Sequence, residues 1–223
     1  MQEKGNTSRF TNIVILSCFS VYLILLISEQ SFISSFINRF GLIPLPIVEG
    51  YNYYPLLAYI FIHMDFTHLI SNMFALYSVG STLERSLGSV TFGIIFLLSG
   101  ILSGLLHCVL NPSSTIPVIG ASGAIFGIIA VLFLFMPFTI TTALIIPLPG
   151  VVLGLILLSV ETMALVSNES VGIAHDVHLY GFITGSLCAF TADYDRALRG
   201  LIIAAIVLLL IYIIGIYLNN LLI

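Results

Sequence analysis

The chain has 223 residues, of which 59% are hydrophobic and 7% are charged, and its mean hydropathy is +1.18. A soluble domain carries about 25% charged residues, so the composition excludes a water-soluble globular fold and indicates a protein whose solvent is lipid. The formal net charge of −4 is spread over the ends of apolar segments, which argues against a nucleic-acid partner.

Apolar segments long enough to cross a bilayer recur along the whole chain. A spanning helix needs about 20 mainly apolar residues. This criterion predicts seven spans, at residues 11–30, 67–83, 90–109, 121–136, 149–166, 174–191 and 197–218. No small-residue cleavage site follows the first segment, so we predict a retained span rather than a signal peptide. The expected fold class is therefore all-α, a polytopic membrane helical bundle.

Three stretches between the spans differ from them in composition. In residues 31–66, a group of tyrosines around position 53 predicts an interfacial structure with an aromatic belt. The sequence 147–150 contains two prolines and predicts that a helix ends or begins there. Residues 161–172 are more polar, and we interpret them as a mobile loop that gates a pocket.

The fourth predicted span is short for a membrane helix. From Ser122 to Met136 it has 15 residues, which gives a length of about 22 Å against about 30 Å for a hydrocarbon core. Its first turn is therefore expected to lie below the membrane surface. Residues 111–117 precede it and are not expected to be helical, and irregular backbone at that depth is tolerated where it lines a wet cavity. The sequence predicts a water-filled pocket at Ser122.

The basic residues predict the orientation of the chain. With a cytoplasmic N-terminus, five of the six basic residues lie inside and one outside, as the positive-inside bias expects. The inside set is Lys4, Arg9, Arg85, Arg196 and Arg199, and the outside residue is Arg39. We therefore predict an integral multi-pass protein of the cell membrane, with spans two, four and six running inward from the outer leaflet.

Four polar side chains lie in the first turns of those three inward-running spans. His68 and Asn72 are on the second span, Ser122 is on the fourth and His178 is on the sixth, so all four share one depth near the outer leaflet. A serine and a histidine are the minimum set for acyl transfer by a nucleophile with its general base. The sequence thus predicts hydrolytic chemistry inside the bilayer.

Glycines accompany both reactive side chains. Gly123 with Gly127 and Gly181 with Gly185 are small-xxx-small pairs, which most often indicate only that two membrane helices pack closely. This structural interpretation is compatible with the catalytic one. Close packing of spans four and six would bring Ser122 to His178.

In combination, these motifs resemble the rhomboid intramembrane serine proteases over residues 38–191. The second span has two histidines and an asparagine at spacings of five and four, and a Glu-Arg pair follows it. A Gly-x-Ser-Gly motif and a histidine followed by two glycines come later. The matching residues are His63, His68, Asn72, Glu84, Arg85, Gly120, Ser122, Gly123, His178, Gly181 and Gly185.

The resemblance implies a domain organisation and an activity. A rhomboid-like six-helix catalytic core would occupy residues 11–191, after a short cytoplasmic N-terminus at 1–10. An inside loop and an extra seventh transmembrane helix would follow at 192–223. The implied activity is endopeptidase cleavage in or near transmembrane segments of membrane proteins. The implied substrates are single-span proteins reached through the lipid bilayer, with upper helices weakened by glycine, proline or polar residues, and no cofactor is needed.

The resemblance also implies residue roles within a Ser-His dyad. Ser122 would be the nucleophile, and His178 would take its proton and later return it to the leaving amine. His68 and Asn72, four residues apart on one helical face, would donate to the developing oxyanion together with the Ser122 N–H. Phe126, one turn after Ser122, would pack against the base histidine.

Several other polar residues receive a supporting or structural interpretation. By family analogy His63 supports the first loop. Asp176 is two residues from His178 on a helix and would point to another side, so we do not expect it to be a third member of the site. His107 and His175 are predicted to be packing or interfacial residues. In place of the Trp-Arg that many members carry, the first loop has Tyr54 and Pro55.

Two alternative functions remain open from the sequence alone. One is a metal or proton site in a transporter or channel, for which imidazoles are suitable ligands. It would be built from His63, His68, His175 and His178 with Asp65 or Asp176. No inverted repeat supports it. The other is a catalytically silent rhomboid-like protein that binds membrane proteins, whose usual signature is loss of the serine or the histidine.

Overall fold

The secondary structure of the chain is almost entirely helical, as predicted. A computed structural model describes residues 8–144, 146–167 and 174–221. The helices are α1 Arg9–Leu26, α2 Gln30–Phe40, α3 Pro44–Val48, α4 Pro55–Ala58, α5 Phe66–Ala75, α6 Ser81–Leu87, α7 Ser89–Leu110, α8 Ser122–Phe135, α9 Gly150–Ser167, α10 His175–Ala192 and α11 Tyr194–Leu221. Two strands, β1 Ile140–Leu144 and β2 Ile146–Pro149, complete the described elements.

The seven predicted spans correspond to seven helical segments. The second is α5 and α6 joined through a π-helical turn at Leu76–Gly80, and the others are α1, α7, α8, α9, α10 and α11. By length and composition, α1, α7, α9 and α11 are each apolar enough to cross a membrane. The expected all-α polytopic membrane helical bundle is therefore confirmed.

Helix α8 lies at the centre of the bundle. Every residue from Gly123 to Phe135 is buried, because α7, α9, α10 and α11 pack around it. A helix that is apolar on all sides is stable only where protein surrounds it. At its C-terminal end the Arg196 Nε–H donates to the Phe135 carbonyl at 3.1 Å, which satisfies one of the free carbonyl groups of the last turn. The short fourth span is thus the core of the fold.

Glycines set the distance between α8 and α10. A Cβ added at Gly181 would overlap the carbonyl of Gly123, and one added at Gly185 would overlap the carbonyl of Gly127. Larger side chains at these positions would force the two helices apart. The two small-xxx-small pairs therefore face each other, and their backbones are in contact.

The segment between the first two spans is ordered and partly helical. It contains α2, α3, α4 and a 3₁₀ turn at Tyr59–Phe61. The Tyr54 ring makes an edge-to-face contact with Phe40 of α2, with ring centroids 5.8 Å apart. Pro55 begins α4, where a missing N–H costs nothing. The first loop is therefore anchored by an aromatic contact at the position where Trp-Arg was expected.

Two parts of the chain differ from the sequence prediction. Residues 161–167 continue α9 instead of beginning a loop, and the remainder of the predicted gate, 168–173, lies outside the described residues. The helix continues because residues 161–167 contain neither glycine nor proline, and Glu161 faces inward. The region before α9 forms an antiparallel hairpin of β1 and β2, and α9 then begins at Gly150.

Candidate active site

The irregular segment before α8 is held against the first loop. Leu42 and Val118 exchange two backbone hydrogen bonds of 2.9 Å, and the Gly120 N–H donates to the Tyr59 carbonyl at 2.9 Å. Gly120 has a φ of +118°, a conformation that side chains disfavour, and a Cβ there would meet the His68 ring at 2.7 Å. Glycine is therefore required for this turn, which places Ser122 as the first residue of α8.

Ser122 and His178 meet across the contact between α8 and α10. The Nε2 atom of His178 lies 2.7 Å from the Ser122 Oγ, within hydrogen-bond distance. Both side chains are only partly buried, so the pair is open to a reacting group. This is the geometry that a nucleophile and its general base need.

The Phe126 ring supports the imidazole of His178. It lies one helical turn after Ser122 on α8 and stacks on the histidine with centroids 4.5 Å apart and an interplanar angle of 6°. A flat ring contact restricts rotation of the imidazole out of its plane. The arrangement thus holds Nε2 toward the serine.

His63 contacts the turn that precedes Ser122. Its Nε2 accepts a hydrogen bond from the Ala121 N–H at 3.4 Å, and its ring packs edge-on against His68 at 4.8 Å. His63 lies in the connection before α5 and is 1% exposed. Burial lowers the pKa of His63 to about 4, so the ring is neutral near pH 7 and able to accept this bond.

His68 and Asn72 lie on α5, and the His68 ring is next to Gly120. The Asp65 carboxylate caps α5 by accepting the His68 backbone N–H at 2.8 Å. The Asn72 side-chain amide donates to the His68 carbonyl one turn back, at 3.0 Å. Both side chains are therefore carried on the helix that flanks the Gly120 turn.

Glu84 and Arg85 are not part of this site. Glu84 is buried and accepts the backbone N–H groups of Phe10 and Thr11 at 2.8 and 2.9 Å, and the Ser89 hydroxyl at 2.5 Å. It thereby satisfies free donors at the N-terminus of α1. Arg85 is exposed. This motif joins α1 to α6 and α7 and makes no contact with Ser122 or His178.

Asp176 faces α7 rather than Ser122 and His178. Its Oδ2 lies 2.6 Å from the His107 Nδ1 and accepts the Asn111 amide at 3.0 Å. Its Oδ1 accepts the Val177 N–H at 2.9 Å. The carboxylate is therefore fully engaged in joining α10 to α7, and His107 is an ion-pair partner as well as a packing residue.

Glu161 of α9 is the polar neighbour that the sequence analysis missed. Its Oε2 lies 2.5 Å from the His175 Nδ1 and 3.1 Å from the His178 Nδ1. The prediction failed because residues 161–172 were interpreted as a gating loop, although residue 161 also lies within the predicted span. A usable signal was present, since Glu161 is the only charged residue in the predicted span 149–166, and an ionisable residue within a span is a candidate functional residue.

Within the described residues, one group of side chains has the composition of a metal site. Ligand atoms of Glu161, His175 and His178 lie within 4.8 Å of one another. The Glu161 Oε2 and the His175 Nδ1 are within direct hydrogen-bond distance of each other, at 2.5 Å. Among the described residues, His63 and His68 of the transporter alternative are not members of this ligand group, and their rings pack against each other.

Comparison with known proteins gives a consistent pattern. The Rhomboid domain model matches residues 51–195. RHOMBOID-like protein 5 of Arabidopsis thaliana is 28% identical over 69% of this chain and 48% of its own length. Rhomboid protease GluP of Bacillus subtilis is 41% identical over 39% of this chain and 16% of its own length. Putative rhomboid protease YdcA of the same organism is 38% identical over 40% of this chain. The chain spans about half of these relatives' length or less.

Proposed function

The chain belongs to the rhomboid family, and we propose that it is an intramembrane serine endopeptidase with Ser122 as nucleophile and His178 as general base. The observation that carries the proposal is the 2.7 Å distance between the His178 Nε2 and the Ser122 Oγ. Two relatives are named as rhomboid proteases, which supports the same reaction class. A catalytically silent binding protein would not need a serine hydroxyl and an imidazole at hydrogen-bond distance from each other.

In the first half of the reaction, His178 takes the Ser122 proton at Nε2. The Ser122 Oγ then forms a bond to the carbonyl carbon of the substrate, and negative charge develops on the carbonyl oxygen. The His68 ring, the Asn72 amide and the Ser122 backbone N–H are the proposed donors to that oxygen. In the structure the Asn72 amide donates to a backbone carbonyl, so substrate would redirect it.

In the second half, the peptide bond breaks and the proton moves to the leaving group. The protonated His178 gives its Nε2 proton to the departing amine, which leaves an acyl ester on Ser122. A water molecule then gives a proton to the same nitrogen and bonds to the ester carbon. The bond from that carbon to the Ser122 Oγ breaks, the carboxylic acid product leaves, and Nε2 returns the proton to Oγ. This hydrolysis needs water next to Ser122, and the partial exposure of Ser122 and His178 supports its access.

The position of the pair supports a class of substrate. Ser122 and His178 both lie at the start of their helices, α8 and α10. We place the protein in the plasma membrane with its N-terminus in the cytoplasm. In that orientation, the N-terminal ends of α8 and α10 face the outer leaflet. The substrate is then a single-span membrane protein whose helix unwinds locally at glycine, proline or polar residues, because a helix hides the carbonyl to be attacked.

In the proposed domain organisation, the catalytic core is residues 11–191. Residues 1–10 are a short N-terminal segment, and residues 192–223 are an inside loop and an extra C-terminal helix.

The test is cleavage of a model single-span substrate in liposomes. Ser122→Ala and His178→Ala should each abolish cleavage, whereas Ser159→Ala should match the wild type, because the exposed Ser159 hydroxyl only contacts its own helix. Labelling by a fluorophosphonate should occur in the wild type and be lost in Ser122→Ala. A wild type that neither cleaves nor labels would contradict the proposal and favour the silent binding protein.

A further inference from the structure

We propose that Glu161 is a positioning residue for His178, so that the reacting unit is a Ser122–His178–Glu161 triad and not a dyad. The inference rests on the proposed function and adds a member to the same site. It starts from three atoms in sequence: the Ser122 Oγ, the His178 imidazole, and the Glu161 Oε2 on the far side of the ring.

The distances define the orientation of the histidine. Nε2 of His178 lies 2.7 Å from the serine oxygen, and Nδ1 lies 3.1 Å from the Glu161 Oε2. Nδ1 is buried and has no aligned hydrogen bond within the described part of the chain, so its contact with Glu161 has the right distance but an imperfect angle. A small rotation of the ring or the carboxylate aligns the two groups. Such bonds in resting enzymes often tighten only when substrate binds.

His175 holds the carboxylate at that position. It lies one turn before His178 on α10, and its Nδ1 shares a hydrogen bond of 2.5 Å with the same Oε2 atom. An oxygen of a carboxylate accepts two such bonds, so the contact to His175 leaves room for His178. The two rings are 6.1 Å apart and nearly perpendicular. His175 therefore fixes Glu161 between the two imidazoles.

The surroundings of Glu161 favour a functional role. The residue is 7% exposed, on a helix that is apolar enough to span the membrane. A buried carboxylate is costly unless it is paired, and a fold often tolerates replacement of a whole buried pair by well-packed apolar residues. A negative charge on Glu161 would be useful during the reaction, because it would stabilise His178 when that imidazole becomes protonated.

With Glu161 as the positioning residue, every proton transfer in the reaction passes through the Nε2 atom of His178. An Nδ1–H of His178 directed at the carboxylate leaves Nε2 unprotonated, which is the tautomer that can accept the Ser122 proton. When the serine attacks, Nε2 gains that proton and the imidazolium lies against the negative Oε2. The proton then passes from Nε2 to the leaving amine, and Glu161 stays ionised throughout.

The other nearby acid is unable to take this role. Asp176 is closer to His178 in sequence, but its oxygens are occupied by His107, Asn111 and the Val177 N–H. It offers a matched control, because it is also a buried carboxylate bonded to a histidine of the same bundle.

The experiment compares Glu161→Gln, Glu161→Asp and Asp176→Asn in full-length protein reconstituted in liposomes. Cleavage of a single-span substrate gives kcat, KM and the pH profile, and the melting temperature reports folding. The titratable groups that face His178 are Glu161 from α9, His175 on α10 and His68 from α5. Only the first of these is altered.

The triad predicts a specific set of results. Glu161→Gln should lower kcat about 10²-fold with KM changed less than about threefold, because the amide favours the wrong tautomer. Its acid limb should move to lower pH, since the carboxylate no longer stabilises the protonated ring. Glu161→Asp should recover part of kcat and the wild-type acid limb, and Asp176→Asn should stay within about threefold of wild type.

Other results overturn the proposal. Wild-type kcat in Glu161→Gln, with Ser122→Ala inactive, removes Glu161 from the mechanism and leaves the proposed protease intact. Equal losses in Glu161→Gln, Glu161→Asp and Asp176→Asn, with parallel losses in melting temperature, assign Glu161 a structural role only. If Glu161→Gln does not fold, a Glu161→Asp variant with the full kcat of the wild type still contradicts positioning. A wild type without activity or fluorophosphonate labelling removes the protease function and the triad together.

Discussion

Two histidine–carboxylate pairs flank the first turns of α10, and they differ in what lies beyond the histidine. On the α7 side, His107 and Asp176 are 2.6 Å apart, and the Asn111 amide completes the group. On the α9 side, Glu161 contacts both His175 and His178, and His178 continues to the Ser122 hydroxyl. The first group ends in a side-chain amide, and the second ends at the hydroxyl of the proposed nucleophile Ser122.

The two pairs contain the same kinds of side chain, so residue type alone does not indicate the role of each pair. Both carboxylates are mostly buried and both contact an imidazole Nδ1. The α7 pair joins two helices and has no free face for a reacting group. The α9 pair leaves Nε2 of one histidine directed at Ser122. We therefore assign stability to the first pair and reaction rate to the second, and five predictions test this division.

The largest effect should come from separating the helix that carries both pairs. Gly181→Val should lower cleavage by more than about 10²-fold, because a misplacement of about 1 Å at a reacting pair has that effect and the added side chain would overlap the Gly123 backbone. The melting temperature should fall as well. Gly215→Val on α11 is the control, since nothing lies near a Cβ there. Normal cleavage by Gly181→Val would contradict close packing of α8 and α10.

The next effect should separate the two pairs directly. Asp176→Asn should reduce the free energy of unfolding by about 1–3 kcal/mol, because it weakens a network that joins α7 to α10. Its kcat should remain near that of the wild type. Glu161→Gln should show the reverse, with the greater loss in kcat. Both variants are tested by thermal unfolding in detergent and by cleavage assays on the same samples. Equal losses of stability and of kcat in the two variants would contradict the assignment of different roles to the two pairs.

A smaller effect is expected from the ring that stacks on His178. Phe126→Leu keeps an apolar side chain but removes the flat contact, so kcat should fall about 10-fold, in line with a stacking contribution of about 0.5–1.5 kcal/mol. Phe126→Tyr keeps the ring and should restore most of the rate. Equal rates in the leucine and tyrosine variants would show that the stack does not orient His178.

Removal of the second histidine at Glu161 should have a modest effect. His175→Leu removes one hydrogen bond to the Oε2 atom, and a hydrogen bond contributes about 1 kcal/mol, which corresponds to about a fivefold loss of kcat. His107→Leu, the equivalent change in the α7 pair, should alter stability more than kcat. A larger rate loss in His107→Leu than in His175→Leu would reverse the assignment.

The smallest effect is expected from chelation. EDTA should leave cleavage unchanged, because the Glu161 Oε2 contacts the Nδ1 atoms of His175 and His178 directly, at 2.5 and 3.1 Å. Added zinc provides the complementary measurement, since two imidazoles and a carboxylate are suitable zinc ligands. Loss of activity in EDTA, recovered by zinc, would make the α9 group a metal site and would remove the triad.

Much of the fold could be predicted from segment length. Each predicted span has a corresponding helical segment, and the predicted boundary near residue 149 matches the start of α9 at Gly150. The β hairpin before it was not predicted, since its strands are short and apolar like the spans around them. The predicted span 149–166 matches α9, but the predicted gating loop began inside that helix because its polar residues were interpreted as a loop signal. Glu161 instead points into the bundle.

The site residues show the same limit. The motif spacings identified Ser122 and His178 as candidates for one site, and the glycine pairs indicated which helices approach each other. The partners of the carboxylates were not predictable in this way. Asp176 and Glu161 are separated by 69 and 14 residues from their histidine partners His107 and His175, and no local pattern relates such positions.

Composition and local sequence pattern were sufficient to indicate that the chain is a multi-pass membrane protein, and to identify the small residues that allow two of its helices to touch. These properties depend on the local cost of placing polar groups in lipid and on the size of single side chains. The pairing of each carboxylate with its histidine is visible only in the folded structure. That choice depends on the rotation and depth of α9 and α10 relative to each other, and long-range packing around α8 sets both.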